Sequence, residues 1–338
     1  MADTTGILDE ALERLHASGP ERLGRLSNHG PMAVESLVHR GHAHSVHRWL
    51  DHYEDKLEDM PAANGRVTRA NWREAMGDAR RIADWCAFFT REVGEHPWRE
   101  VLAEWWPRLL PEIAAGATHP VIRVGHAVRA LLDGGETAPR LAELAHGLGY
   151  WAARSEPLPE ITVSGPAQDA AGALDAVPRV PVQRGGILDR FAQLTTFPAW
   201  PATRTADPEA ARAALSELVT AAVHRYATHG HGEPVMLVHA ATAPNAVLRA
   251  LPALPRELWP VSLSAAWTAS AAVTAAYSPA DPAPYDLGGV PGAEDLAEQA
   301  ARHGDDHAIK FTDTALDIGD PVALAAAARS IELNEPAL

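Results

Sequence analysis

Residues 119–153 read HPVIRVGHAVRALLDGGETAPRLAELAHGLGYWAA, and this stretch decides the fold. Apolar and Ala residues recur three and four positions apart, the spacing of one helix face, which predicts helices over 119–132 and 138–153. The same periodicity extends in both directions. It predicts further helices at about 5–18, 30–41, 43–58, 70–93, 97–115, 186–195, 207–228, 235–251, 256–277, 292–302, 305–317 and 321–334. Alternating β-branched runs are few, so the expected class is all-α, a multi-helix bundle around a single core. Start signals support several elements. Asn71 stands three residues before Glu74, and Asp207-Pro208 and Asp320-Pro321 each place a capping carboxylate before Pro at the first helical position.

The Pro- and Gly-rich segment 155–185 interrupts this pattern. It joins two helical halves, about 1–154 and 186–338, and its Ile161-Thr162-Val163 run has the composition of an isolated strand. The halves are read as one domain over 1–338, because candidate ligands fall in both. A second turn-rich stretch, 278–292, is either a lid or a plain connection.

Composition narrows the function classes. The 338 residues carry a formal charge of -15, which disfavours nucleic acid and anionic lipid as partners. No stretch of about 18 apolar residues occurs and residues 1–20 lack an apolar leader core, so a soluble, cytoplasmic protein is expected. The single cysteine, Cys86, lies on an apolar helical face and reads as a small buried hydrophobe. No Gly-x-Gly-x-x-Gly unit follows a strand, so no flavin or nicotinamide site can be argued. His-Glu-x-x-His, Gly-x-Ser-x-Gly and P-loop patterns are missing as well.

Arginine supplies all but two of the 29 basic residues; the lysines are Lys56 and Lys310. Lys310 lies three residues after His307, on the same helix face. An amine can lose its proton, act as a base, or take up carbon dioxide as an anionic, metal-binding carbamate, none of which a guanidinium does. Of the 17 histidines, His39, His42, His44, His47 and His52 follow one another in a polar stretch and read as a solvated helix junction. His224, His229 and His231 read as a surface loop. Four others enter or lie within apolar helices: His29, His119, His239 and His307. Together with Lys310 they form a nitrogen-rich set suited to iron, copper or zinc. Asn28, Thr242 and Asp306 neighbour these residues and are positioned to orient the imidazoles, with helix capping as the alternative for Asn28 and Asp306. His126, seven residues after His119, is about 10 Å along the helix and is expected to orient a ligand or face substrate.

The stretches NHGPMAVESL (28–37), HPVIRVGHAV (119–128), LVHAATAPNAVLRALPALP (237–255) and DDHAIKFTDTAL (305–316) resemble the questin oxidase-like family, over most of the chain and in the same order. That resemblance implies a largely helical fold and a mononuclear non-haem Fe(II) held by His29, His119, His239, His307 and a carboxylated Lys310. It also implies dioxygen and an aromatic, quinone-like polyketide as partners, with oxidative ring cleavage or Baeyer-Villiger-like oxidation as the reaction. Two other readings stay open: a helical metal- or aromatic-ligand-binding protein without turnover, and a zinc hydrolase with a carbamylated lysine.

Overall fold

A computed structural model describes residues 6–24 and 26–338. Helix accounts for 67% of the residues and strand for 4%, so the all-α expectation holds. The first half contains α1 (Ile7–His16), α2 (Gly30–His39), α3 (Val46–Tyr53), α4 (Trp72–Ala75), α5 (Ile82–Glu95), α6 (Trp98–Leu109), α7 (His119–Gly134) and α8 (Ala138–Ala153). The remainder contains α9 (Ala170–Asp175), α10 (Ile187–Phe191), α11 (Pro208–His229), α12 (Pro234–Leu237), α13 (His239–Ala250), α14 (Trp259–Tyr277), α15 (Ala293–His303), α16 (Asp306–Ile318) and α17 (Pro321–Leu333).

Capping chemistry sets many of these boundaries. Asp207 accepts from the Glu209 N–H and Asp320 from the Ala323 N–H, each with Pro in the first turn, as the sequence predicts. Other segments depart from expectation. The helix expected over 70–93 is broken, because Gly77 takes the left-handed conformation at φ 74° and Asp78 caps a new turn by accepting from Arg80 N–H. Asn71 makes no cap; its Oδ1 accepts from Thr68 N–H and Oγ1–H instead. The Thr162–Pro166 strand is not isolated but pairs in parallel with Thr196–Ala199. Within the same central segment Asp169 caps α9, a helix the Pro/Gly content had concealed.

One buried apolar cluster runs from Met32 to Ala328 and draws on both halves of the chain. Its aromatic centre is Trp85, Phe88, Phe89 and Trp105, stacked edge-to-face with ring centroids 5.0–5.7 Å apart. Cys86 is buried beside them, and burial pushes its thiol up to about 12, an inert group as expected. No helix among the described residues is long and apolar enough to cross a membrane.

Four helices distant in sequence lie side by side and in parallel: α2, α7, α13 and α16. Their register is fixed by contacts at both levels. At one end His29 meets Asp306 and His119 meets His239. Further along, Ser36 and Arg40 meet Asp313 and Asp317, while Gly125 abuts Ala246. Gly125 is required there, since a Cβ at that position would stand 2.5 Å from Ala246 Cβ. The lack of a side chain lets α7 and α13 approach to backbone contact.

Candidate metal centre

The four parallel helices begin at one place, and each begins with a histidine. His29 is the residue before α2, His119 and His239 open α7 and α13, and His307 is the second residue of α16. All four are buried. Their rings pack against one another, with centroid separations of 4.4 Å for His29–His119, 4.6 Å for His29–His307, 4.4 Å for His119–His239 and 5.5 Å for His239–His307. His29, His119 and His307 each offer a ligand atom within 4.8 Å of the other two.

Every one of these imidazoles has its Nδ1 engaged. His119 Nδ1 donates to the Gly116 carbonyl at 2.6 Å and His239 Nδ1 to the Met236 carbonyl at 2.9 Å. His29 Nδ1 lies 2.6 Å and His307 Nδ1 2.9 Å from the same Asp306 oxygen. Carbonyl and carboxylate oxygens only accept, so the Nδ1 atoms carry the protons and Nε2 is left as the lone-pair atom. His119 Nε2 and His239 Nε2 then face each other at 2.8 Å. Two imidazole donors bound at right angles to one first-row metal would be about 3 Å apart. The separation is compatible with a ligand pair.

Burial keeps most of these rings neutral, the form that binds metal. It lowers His29 to about 3 and holds His119 and His239 well below the ordinary histidine value, with neighbouring imidazoles and Lys310 adding to the effect. His307 moves the other way. Burial lowers it, but the Asp306 charge and the hydrogen bonds that His307 donates to Asp305 and Asp306 outweigh that.

Lys310 is 1% exposed, and its Nζ has no hydrogen-bond partner among the described residues. Burial drops it to about 8, against weaker opposing pulls from Asp306 and Asp305. The Lys310 charge acts on all four imidazoles and disfavours their protonation. Four helix N-termini also converge there, each equivalent to roughly half a positive charge. An ammonium at that point would be doubly disfavoured, whereas a neutral amine or an anionic carbamate would not.

The neighbours named from sequence divide. Asp306 does orient imidazoles, and Asp305, not Asp306, is the cap of α16, accepting from His307 and Ala308 N–H. Asn28 touches no imidazole; it shapes the turn before His29, its Nδ2 donating to Gly19 O and its Oδ1 accepting from Gly30 N–H. Thr242 is one turn after His239, its Oγ1 buried with no partner among the described residues. His126 is not at the site: its Nδ1 bonds Glu35 Oε2 at 2.6 Å, deeper in the bundle. The polar stretch His39–His52 is half-buried to exposed, as expected, but His224 and His229 lie on α11 and only His231 follows it.

One of the imidazoles, His119, lines a cavity of about 450 Å³ whose wall also includes Gly116, Ala117, Tyr150, Ser27 and Met236. Leu26, Ile187 and Leu188 add an apolar lip. Tyr150 Oη and Ser27 Oγ are hydrogen-bonded at 2.9 Å, and burial pushes the phenol above its ordinary range, so it stays protonated. At the floor, Gly116, Ala117 and Thr118 all have positive φ, 52°, 60° and 68°. For the two non-glycines this costs about 1–2 kcal/mol each. The strained turn aims the Gly116 carbonyl at His119 Nδ1, so local strain and ligand orientation are one feature. The stretch 278–292 is not a lid on this cavity. It packs against α17 and borders a separate cavity of about 300 Å³, through Tyr285, Asp286 and Val290.

Residues 26–134 match the family described as Questin oxidase-like. That span, about a third of the chain, is similar to the questin oxidase-like family, in agreement with the motifs at 28–37 and 119–128. His29 and His119 fall inside the matched residues; His239, His307 and Lys310 lie beyond them, brought in by the fold. No curated protein matches the chain. The family description points to oxidase chemistry, and the buried imidazole cluster opening on an apolar cavity is a site compatible with it.

Sequence reasoning missed a second set of residues on the same four helices. Glu35, His126, Asn245 and Asp313 each follow a site histidine by six or seven positions, about two turns. That repeated spacing was the available signal.

Proposed function

We propose that this protein is a non-haem iron-dependent oxidase or oxygenase of an aromatic, quinone-like polyketide. His29, His119, His239 and His307 would hold Fe(II) through Nε2, with Lys310 as a carbamate ligand or as a base. The observation that carries this is the packing of four buried imidazoles, each with its Nδ1 tied back and with His119 and His239 Nε2 2.8 Å apart, beside a buried amine that has no partner among the described residues. Iron bound there would supply redox chemistry toward dioxygen.

The protein's own groups have distinct tasks. Asp306 and the Gly116 and Met236 carbonyls hold the protons on Nδ1 and fix ring orientation. Lys310, as a carbamate, would place a negative charge among neutral imidazoles and converging helix N-termini; as a neutral amine it could accept a proton from a substrate hydroxyl. Leu26, Ile187 and Met236 offer apolar surface to an aromatic ring, and Tyr150 O–H can donate to a substrate oxygen. The cavity is large enough for a ligand of several rings and too small for a polymer.

The test combines metal analysis with oxygen uptake. Protein reconstituted anaerobically with Fe(II) should bind one equivalent and consume oxygen with an anthrahydroquinone or catechol substrate. Lys310→Arg should bind iron poorly and show no uptake. Stoichiometric iron with no oxygen consumption on a panel of polycyclic phenols would favour a binding protein; full activity in Lys310→Arg would remove the lysine's role.

A further inference from the structure

Two turns beyond the imidazoles the same four helices meet again, in a lattice of charge that is buried at Glu35, Arg129 and Asp313 and reaches the surface at Asp317. Asp313 on α16 accepts from one arginine on or beside each of the other three helices. Arg40 Nε, just after α2, bonds Oδ1 at 2.7 Å; Arg129 of α7 and Arg249 of α13 bond Oδ2 at 2.8 and 2.7 Å. Arg129 also forks onto Glu35 of α2, with Nε 2.8 Å from Oε1, and His126 Nδ1 bonds the second Glu35 oxygen. Asp317 closes the lattice against Arg40, Arg249 and Asn245. Three guanidinium groups thus face three carboxylates. Glu35, His126 and Asp313 have the donor types and spacing of a second metal site, but the Arg129 guanidinium occupies the position of the cation.

Such a cluster is a poor way to gain stability, because burying charges such as Glu35, Arg129 and Asp313 costs about as much as their attraction returns. What it supplies is register. A fork of N–H donors onto a carboxylate fixes both the distance and the rotation of the helices that carry them. Lattice and imidazoles sit on the same four rigid rods, separated by six to ten residues, or about 9–15 Å. We propose that the lattice centred on Asp313 is a positioning device that sets the spacing of the four helix N-termini, and hence of His29, His119, His239 and His307, before any ion arrives.

The inference rests on the metal reading for one of its two readouts, so the test includes one that does not. The charge-balanced double variant Asp313→Asn/Arg249→Met removes the hub and one of its cations together. It should keep wild-type helical circular dichroism and unfold cooperatively, yet bind Co(II), used as a spectroscopic substitute for iron, at least tenfold more weakly and with altered visible bands. In the metal-free protein, the nitrogen-15 signals of the four imidazoles should shift or broaden. Co(II) affinity within twofold of wild type together with unchanged imidazole signals would overturn the proposal. So would loss of the fold in the double variant, which would make the lattice a determinant of folding. If wild-type protein binds no Co(II), the metal reading fails alone, and the imidazole signals decide the lattice: changed signals support it and unchanged ones overturn it.

Discussion

His119 Nε2 and His239 Nε2 stand 2.8 Å apart, although 120 residues separate them and each already donates its Nδ1–H to a backbone carbonyl. Two lone pairs so placed repel unless a cation lies between or beside them. A metal ion bound by both would relieve that repulsion.

The close approach behind this pair depends on Gly125. Gly125→Ala drives a methyl group into Ala246, so α7 and α13 must separate. We expect a loss of about 1–3 kcal/mol in stability, as for other overpacked cores. Co(II) affinity should fall with it. Urea unfolding and Co(II) titration of one preparation measure both, and unchanged affinity despite lower stability would separate helix spacing from metal geometry.

Asp306 serves two imidazoles with one oxygen. Asp306→Asn keeps an acceptor but removes the charge, and metal affinity should fall about 10–100-fold. Asp305→Asn is the matched control. Its side chain caps α16, a task asparagine performs about as well, so both stability and affinity should stay near wild type. Equal effects from the two neighbours would contradict the assignment.

Lys310 leaves a buried amine without a partner among the described residues. Lys310→Met fills similar volume without the polar atom and should raise metal-free stability by about 1–3 kcal/mol, the cost of one unsatisfied buried group. The same variant should lose tight metal binding. A lower melting temperature in the metal-free variant would show that the amine has a partner of its own.

Acid stability has a separate source, away from the imidazoles. Glu143 is buried; burial alone would raise it, but Arg123 and a hydrogen bond from His16 hold it at about 2. Its unfolded value is about 4.3, so the unfolded chain binds the proton first as pH falls. This contribution is therefore complete above about pH 4.3 and is lost on descending toward pH 2, about 3 kcal/mol in all. Glu143→Gln should be less stable at neutral pH, with Arg123 left uncompensated, and flatter in the acid range. Denaturant unfolding at pH 7, 5, 4 and 3 tests this; parallel curves for the two proteins would refute it.

The amino-acid sequence alone determined most of the helices and singled out four histidines and one lysine that the fold buries, because helical period, caps such as Asp207 and Asp320, and the rarity of lysine are local facts. It left the break at Gly77 and the α9 helix unread, where one left-handed residue and one aspartate cap outweigh periodicity. Tertiary structure decided which helices lie parallel, that Asp306 serves two rings while Asn28 only shapes a turn, and that His126 belongs to the Glu35–Arg129–Asp313 lattice. Those are pairings across 91 to 277 residues of chain. They depend on close approaches such as Gly125 on Ala246, and a contact between remote backbones leaves no period in the sequence.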